Sequence, residues 1–267
     1  MSVTLVTGGT GKTGRRIAAL LSLAGHSTRA AARGGEANTC RFDWADPATY
    51  APALADVSAV YLLAPSNVPE PLEAMRPFLE LALQRGVRRF VLLSASSLPK
   101  GGPMMGAVHA YIERHAPEWT VLRPTWFMQN FSEQQHLKTI REEGRIYSAT
   151  GDGRVPFIDA ADIAAVAAEA LVRDVPFNRD LILTGPSSLS YGDTAKILEK
   201  VTGRAVSHVR LTEEELAERF VASGMKPVYA RILAAMDTAI AGGSEDAVSP
   251  EVQTILGRPP ISFASFT

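Results

Sequence analysis

Four glycines in seven residues, directly behind a short apolar run, constrain this 267-residue chain more than any other feature. Residues 3–7 (VTLVT) read as a strand, 8–14 as a turn and 13–24 as a helix. Gly9, Gly11 and Gly14 fit G-x-G-x-x-G, while Gly8, Gly11 and Gly14 fit T-G-x-x-G-x-x-G. Glycines at these places permit a tight turn, let a pyrophosphate approach the backbone, and let the helix pack close to its strand. The helix start offers unpaired N–H groups and a partial positive charge, which suits phosphate. A glycine turn that follows a strand and opens a helix has the context a dinucleotide fingerprint needs. Gly8, Thr10, Gly11, Lys12, Thr13 and Gly14 are therefore the expected pyrophosphate contacts.

Residues 27–33 (STRAAAR) read as the second strand, ending in Arg33, 19 positions after Gly14. Folds that prefer NAD end this strand in an acid that binds the ribose 2′-hydroxyl. No acid is present, and an arginine can pair bidentately with a 2′-phosphate. The expected cofactor is NADP(H), with Arg29 or Lys12 as other sources of charge. Residues 40–44 form the third strand and its exit, which puts Asp43 and Trp44 at the adenine edge. Residues 57–64 (VSAVYLLA) are continuously apolar and rich in β-branched groups, as in a strand buried on both faces. Ala64 and Pro65 at its end should border the adenosine and pyrophosphate. A helix over 72–85 stops at Gly86. The next buried strand, 89–94 (RFVLLS), ends in Ser94.

A helix over 107–116, a strand at 119–122, a helix over 162–171 beside Asp159 and Asp162, and a strand at 180–184 continue the pattern. Strand and helix alternate, which calls for the α/β class: a Rossmann-type doubly wound parallel sheet. Residues 1–184 are the expected cofactor-binding domain, with some pocket residues drawn from 124–160. Residues 185–267, with helices at 191–202, 213–223 and 228–241, form a smaller mixed α/β lobe. It should cap the C-terminal edge of the sheet and leave a ligand cleft.

Lys plus Arg number 27 and Asp plus Glu 28, a net charge of −1, so nothing points to nucleic acid or an anionic membrane. Cys40 is the sole cysteine, which rules out an intramolecular disulfide and a cysteine metal site. No apolar run approaches the ~20 residues of a membrane span, and Met1 leads straight into the first strand. The expectation is a soluble cytoplasmic protein, monomer or homodimer, with no metal and a small-molecule substrate.

Further pieces carry a resemblance: LLSASS at 92–97, TVLRPTWFMQNF at 120–131, PFIDAADIA at 156–164, LTGPSSLSYGDTAKIL at 183–198 and ILGRPPISFASF at 255–266. With TGGTGKTG at 7–14 and Arg33, the chain resembles atypical short-chain dehydrogenase/reductases of the NmrA-like kind. Within that group it looks most like the clavine reductases of ergot alkaloid biosynthesis and the NADPH quinone reductases. The resemblance covers nearly the whole chain and implies a two-lobed fold that binds NADP(H). Many short-chain dehydrogenases use Tyr-x-x-x-Lys, yet Tyr111 is followed four residues later by His115, and no other tyrosine has the lysine. Two outcomes are open: a non-catalytic redox-sensing regulator, or a reductase whose acceptor needs little proton donation, such as an iminium or a quinone. A ketone reductase with an unusual acid is the third reading. His109 and Tyr111 are the candidate catalytic residues; the resemblance puts His109 near the nicotinamide. Pro124 and Thr125 are expected at the nicotinamide half, and Trp126, Phe127, Asn130 and Phe157 as pocket lining.

Overall fold

The computed structural model describes residues 2–35, 39–66, 68–133 and 135–266. Strand β1 (Val3–Thr7) leads into α1 (Gly14–Leu23), β2 (Thr28–Ala32), β3 (Cys40–Arg41) and the short α2 (Tyr50–Ala53). Next come β4 (Val57–Leu62), α3 (Pro71–Gln84), β5 (Arg89–Leu93), α4 (Met105–His115) and β6 (Glu118–Pro124). Helix α5 (Leu137–Glu143) and strands β7 (Arg145–Ser148) and β8 (Arg154–Val155) precede α6 (Ala160–Val172) and β9 (Arg179–Leu183). The chain closes with β10 (Leu189–Ser190), α7 (Tyr191–Thr202), β11 (Ser207–Arg210), α8 (Glu213–Ala222), α9 (Pro227–Ala241), α10 (Glu251–Leu256) and α11 (Phe263–Phe266).

Seven strands form one sheet in the order β3-β2-β1-β4-β5-β6-β9, parallel at each registered pair. The order reverses at β1, so the crevice beyond the ends of β1 and β4 is the topological switch point where such sheets bind ligands. Side chains alternate across each strand. Leu5, Val60, Leu62, Phe90, Leu92 and Val121 pack on one face against Met75, Phe78 and Leu79 of α3 and Val108 and Ile112 of α4. Helices α1 and α6 pack together, and α6 covers β4, β5 and β6. Phe78 is fully buried, and burying one such side chain contributes about 1.5–3 kcal/mol. The doubly wound α/β architecture is the one the alternating pattern implied.

The chain divides into two compact units, one holding Met1–Pro124 and Ala160–Ile182, the other Thr125–Asp159 and Leu183–Thr267. Residues 125–159, placed by sequence with the first domain, group instead with the C-terminal segment. The cause is long-range pairing. Strand β7 runs parallel to β11, β8 runs antiparallel to β10, and the Thr125 N–H donates to the Leu183 carbonyl at 3.0 Å. Capping boxes fix the starts of α7 (Ser190 with Asp193) and α8 (Thr212 with Glu215). Helices α5, α10 and α11 have no counterpart in the sequence reading, and α6 begins at Ala160 rather than near Asp162. Among the described residues no helix is long and apolar enough to cross a membrane.

Candidate cofactor site

The loop between β1 and α1 is shaped by missing side chains. Gly8 has φ +63°, a left-handed conformation that favours glycine. A Cβ on Gly14 would lie 2.2 Å from the Gly8 oxygen and 2.8 Å from its carbonyl carbon. The turn closes with Gly11 N–H donating to the Gly8 carbonyl and Gly9 N–H to the Ala31 carbonyl, both at 2.8 Å. It is buttressed from β4. The Thr7 hydroxyl donates to the Tyr61 carbonyl at 2.9 Å and accepts from the Leu63 N–H at 2.8 Å. The Thr13 hydroxyl lies 2.8 Å from the Tyr61 hydroxyl. Tyr61 is fully buried, and burial pushes its phenol well up, so it stays neutral. Neither a side-chain cap nor a first-turn acid sits at the start of α1. Thr10 at the tip is exposed and Lys12 is half-buried.

At the second strand's end, Arg33 is exposed and makes no hydrogen bond or ion pair with a described residue. Arg29, the other source of charge considered, donates instead to the carbonyls of Ala53 and Ala55 at 2.9 and 2.6 Å. The Asp43 carboxylate accepts from the Ala45 N–H at 3.0 Å, and the Trp44 indole N–H donates to the Leu63 carbonyl at 3.1 Å. The Trp44 ring meets Phe42 and Phe78 edge-on, so both residues have structural roles at the edge assigned to adenine. Ala64 and Pro65 follow β4 and are half-buried.

Toward β5 and β6, Ser94 is buried and its hydroxyl has no partner among the described residues. Pro124 ends β6 and is buried. His109 is 1 % exposed, its ring is 5.6 Å from that of Trp119, and neither ring nitrogen has a hydrogen-bond partner among the described residues. Burial pushes its imidazole below the ordinary value, against the pull of Asp180 and Glu113. It is therefore neutral at pH 7: a hydrogen-bond donor, not a charged acid. Tyr111 lies on another side of α4, with its ring 4.4 Å from that of His115 and the Arg76 guanidinium 5.6 Å away. Burial and then Glu80 raise its phenol, outweighing the opposite pull of Arg76.

In the second unit the Thr125 hydroxyl, expected at the nicotinamide, donates to the Pro156 carbonyl at 2.7 Å. Phe157, expected to line a pocket, is 1 % exposed and packs in a core with Phe131, Tyr191 and Phe263. The difference has a plain cause: an aromatic run serves core and pocket equally well, and burial assigns this ring to the core. Trp126, Phe127 and Asn130 are half-buried.

Residues 8–174 match the family model described as NAD(P)H-binding. The chain belongs to the NAD(P)H-binding oxidoreductase family. It is 42 % identical over 266 residues to the Bacillus subtilis (strain 168) oxidoreductase YesF, covering 98 % of this chain and 93 % of that one. It is 43 % identical over 275 residues to agroclavine dehydrogenase of Claviceps fusiformis, covering 98 % and 95 %. In fold it resembles an Escherichia coli NADPH-dependent quinone oxidoreductase solved with NADPH. There the TM-score is 0.82 at 23 % identity, over 98 % of each chain. These relatives fit the NmrA-like, atypical short-chain dehydrogenase resemblance.

A pyrophosphate at the switch point needs backbone N–H groups within reach of its oxygens, which a glycine turn against a helix start allows. A Cβ on Gly14 would collide with the Gly8 backbone, so the start of α1 packs directly on the turn, and no residue of its first turn is acidic. Sequence reasoning missed Tyr61 as the buttress of the turn. Tyr61 and Thr13 are 48 positions apart, and only the parallel register of β1 with β4 brings them together. Among the described residues no three His, Cys, Asp or Glu side chains are grouped to hold a metal ion.

Proposed function

We propose that this oxidoreductase uses NADPH in preference to NADH and reduces a small organic acceptor, an imine or iminium or a quinone, without a tyrosine–lysine pair. The observation that carries the reading is the glycine cradle followed, at the end of β2, by an exposed Arg33 that has no partner among the described residues, with no acid in that strand. When bound, the reduced nicotinamide supplies the hydride. The chain's task is to hold the dinucleotide and acceptor and to exclude water. An iminium acceptor carries the positive charge that hydride neutralises, so no alkoxide has to be protonated. That suits a site whose two candidate donors are a neutral, buried His109 and a Tyr111 whose phenol is raised. The likeness to a clavine dehydrogenase at 43 % identity supports the same acceptor class.

Arg33→Asp places an acid where the 2′-phosphate would lie. It should invert the cofactor preference, lowering kcat/KM with NADPH by about 100-fold while NADH gains. Equal loss with both cofactors would reject Arg33 as the 2′-phosphate contact. Turnover should be measured with cyclic imines, quinones and simple ketones side by side. The reading expects imines or quinones to be reduced and ketones left; ketones reduced fastest would overturn it.

A further inference from the structure

Arg123 occupies an unusual place for a cation: it is on β6, inside the sheet, with its side chain 15 % exposed. Desolvating a guanidinium is costly unless every side of it is partnered. Three partners meet it here. Its Nη1 donates to an Asp180 carboxylate oxygen at 2.7 Å, its Nη2 to the Ser96 carbonyl at 2.7 Å, and its Nε to the Ala95 carbonyl at 3.4 Å. Burial would raise the Asp180 carboxyl, but the hydrogen bond and charge of Arg123 bring it below the ordinary value. The Asp180 carboxylate thus faces the guanidinium as its counter-charge.

Those two carbonyls belong to the segment that follows β5. Its amides continue the β5–β6 ladder beyond the strand, with Ser94 N–H donating to the Leu122 carbonyl at 2.8 Å and Ser96 N–H to the Pro124 carbonyl at 2.9 Å. Residues 94–96 are therefore held twice, by backbone from β6 and by the arginine fork. Within this clamped segment the Ser94 hydroxyl is buried and has no partner among the described residues. A buried hydroxyl left without a partner is unfavourable, so a polar group from outside the chain is the natural occupant.

We propose that Arg123, neutralised by Asp180, is a positioning residue: it holds the β5 exit so that the Ser94 hydroxyl faces the nicotinamide end of the bound dinucleotide. The identity of that ligand rests on the function proposed above; the clamp itself does not. Lysine cannot replace the arginine, because its single ammonium lacks the planar fork that spans two carbonyls and a carboxylate.

The test compares wild type with Arg123→Lys, Ser94→Ala and Asp180→Asn in the full chain. Three quantities are measured: the Kd for NADPH by calorimetry, the fluorescence of the bound dihydronicotinamide, and thermal stability. The phosphates at the glycine turn carry most of the affinity, so Kd should change little in all three variants. The nicotinamide emission of Arg123→Lys and Ser94→Ala should fall together toward that of free NADPH. Where an acceptor is turned over, kcat should drop about 10–100-fold, since small misplacement at the reacting end is enough. Asp180→Asn, which leaves the two carbonyl bonds, should lie between these variants and wild type. It and Ser94→Ala decide the matter if Arg123→Lys does not fold. Emission unchanged from wild type, or NADPH affinity lost in parallel with thermal stability, would overturn the proposal. Wild type that binds NADPH but reduces nothing would sink the reductase reading alone, with the emission still deciding this one. Wild type that binds no NADPH would sink both.

Discussion

Gly14→Ala is expected to weaken NADPH binding by at least about 100-fold, roughly 2.7 kcal/mol. The new methyl carbon would stand 2.2 Å from the Gly8 oxygen, 2.8 Å from its carbonyl carbon and 3.0 Å from the Gly9 Cα. All three are backbone atoms, so no rotamer change relieves the clash. Either α1 retreats from β1 or the turn opens, and both remove the N–H groups from the phosphates. Helix α1 also packs on α6, so a retreat is resisted and the turn should give way first. Gly192→Ala is the control: the nearest atom to its Cβ is the Ser190 hydroxyl at 3.6 Å. In α7 alanine is the better helix former, and binding should be untouched. Calorimetric titration of both variants with NADPH decides it. A Gly14→Ala protein that binds as wild type does would remove the pyrophosphate from this turn.

The second large effect is a pair of opposed pH dependences in the second unit. Asp237 on α9 is 2 % exposed, and a carboxylate oxygen accepts from the Ala149 N–H at 3.1 Å. Burial pushes its carboxyl up to about 7. His136 is 4 % exposed and its ring stacks 5.1 Å from that of Phe131. Burial, then the charge of His208, pushes its imidazole down to about 3. The signs follow from proton counting. The folded state holds the Asp237 proton to higher pH than the unfolded chain. Its contribution is therefore complete below about 4 and lost as pH rises through about 7, roughly 4 kcal/mol in all. The folded state refuses the His136 proton. That contribution is complete above about 6.5 and lost as pH falls through about 3, roughly 5 kcal/mol. Between about 4 and 6.5 the two slopes cancel in the wild type.

Each variant should unmask the other residue. Asp237→Asn, which keeps an acceptor for Ala149, should gain stability relative to wild type as pH rises from about 4 to 7. His136→Phe, which keeps the ring stack, should lose stability relative to wild type as pH rises from about 3 to 6.5. Taking each variant relative to wild type at the same pH cancels Asp180 and Asp193, whose shifts are downward. Urea unfolding at pH 4, 5.5 and 7 measures the profiles. Profiles parallel to wild type in both variants would show that neither group titrates with folding.

The cofactor half of this protein is legible because its signals are local. The glycine spacing, the apolar β1, β4 and β5 and the strand–helix alternation all act within a few residues. Their boundaries agree closely: 3–7 matches in full, and 72–85 against Pro71–Gln84 is offset by one residue. Arg33 stood out for the same reason, as a single position at a fixed distance from a motif.

Pairing between distant segments was beyond such reasoning. Strand β7 needs β11 and β8 needs β10, so the Thr125–Asp159 segment could not be assigned to its unit from its own composition. The aromatic run at Trp126–Phe131 is compatible with core or pocket; burial alone separates Phe131, in the core, from the half-buried Trp126 and Phe127. The sequence by itself determined that a dinucleotide turn opens an α/β sheet. Tertiary structure decided what surrounds the turn. It set Tyr61 behind Thr13, closed the Arg123 fork on the β5 exit with Asp180, and buried His109 and Asp237 where their charges are suppressed. Those effects come from desolvation and from hydrogen bonds across parallel strands, neither of which has a spacing that a linear sequence displays.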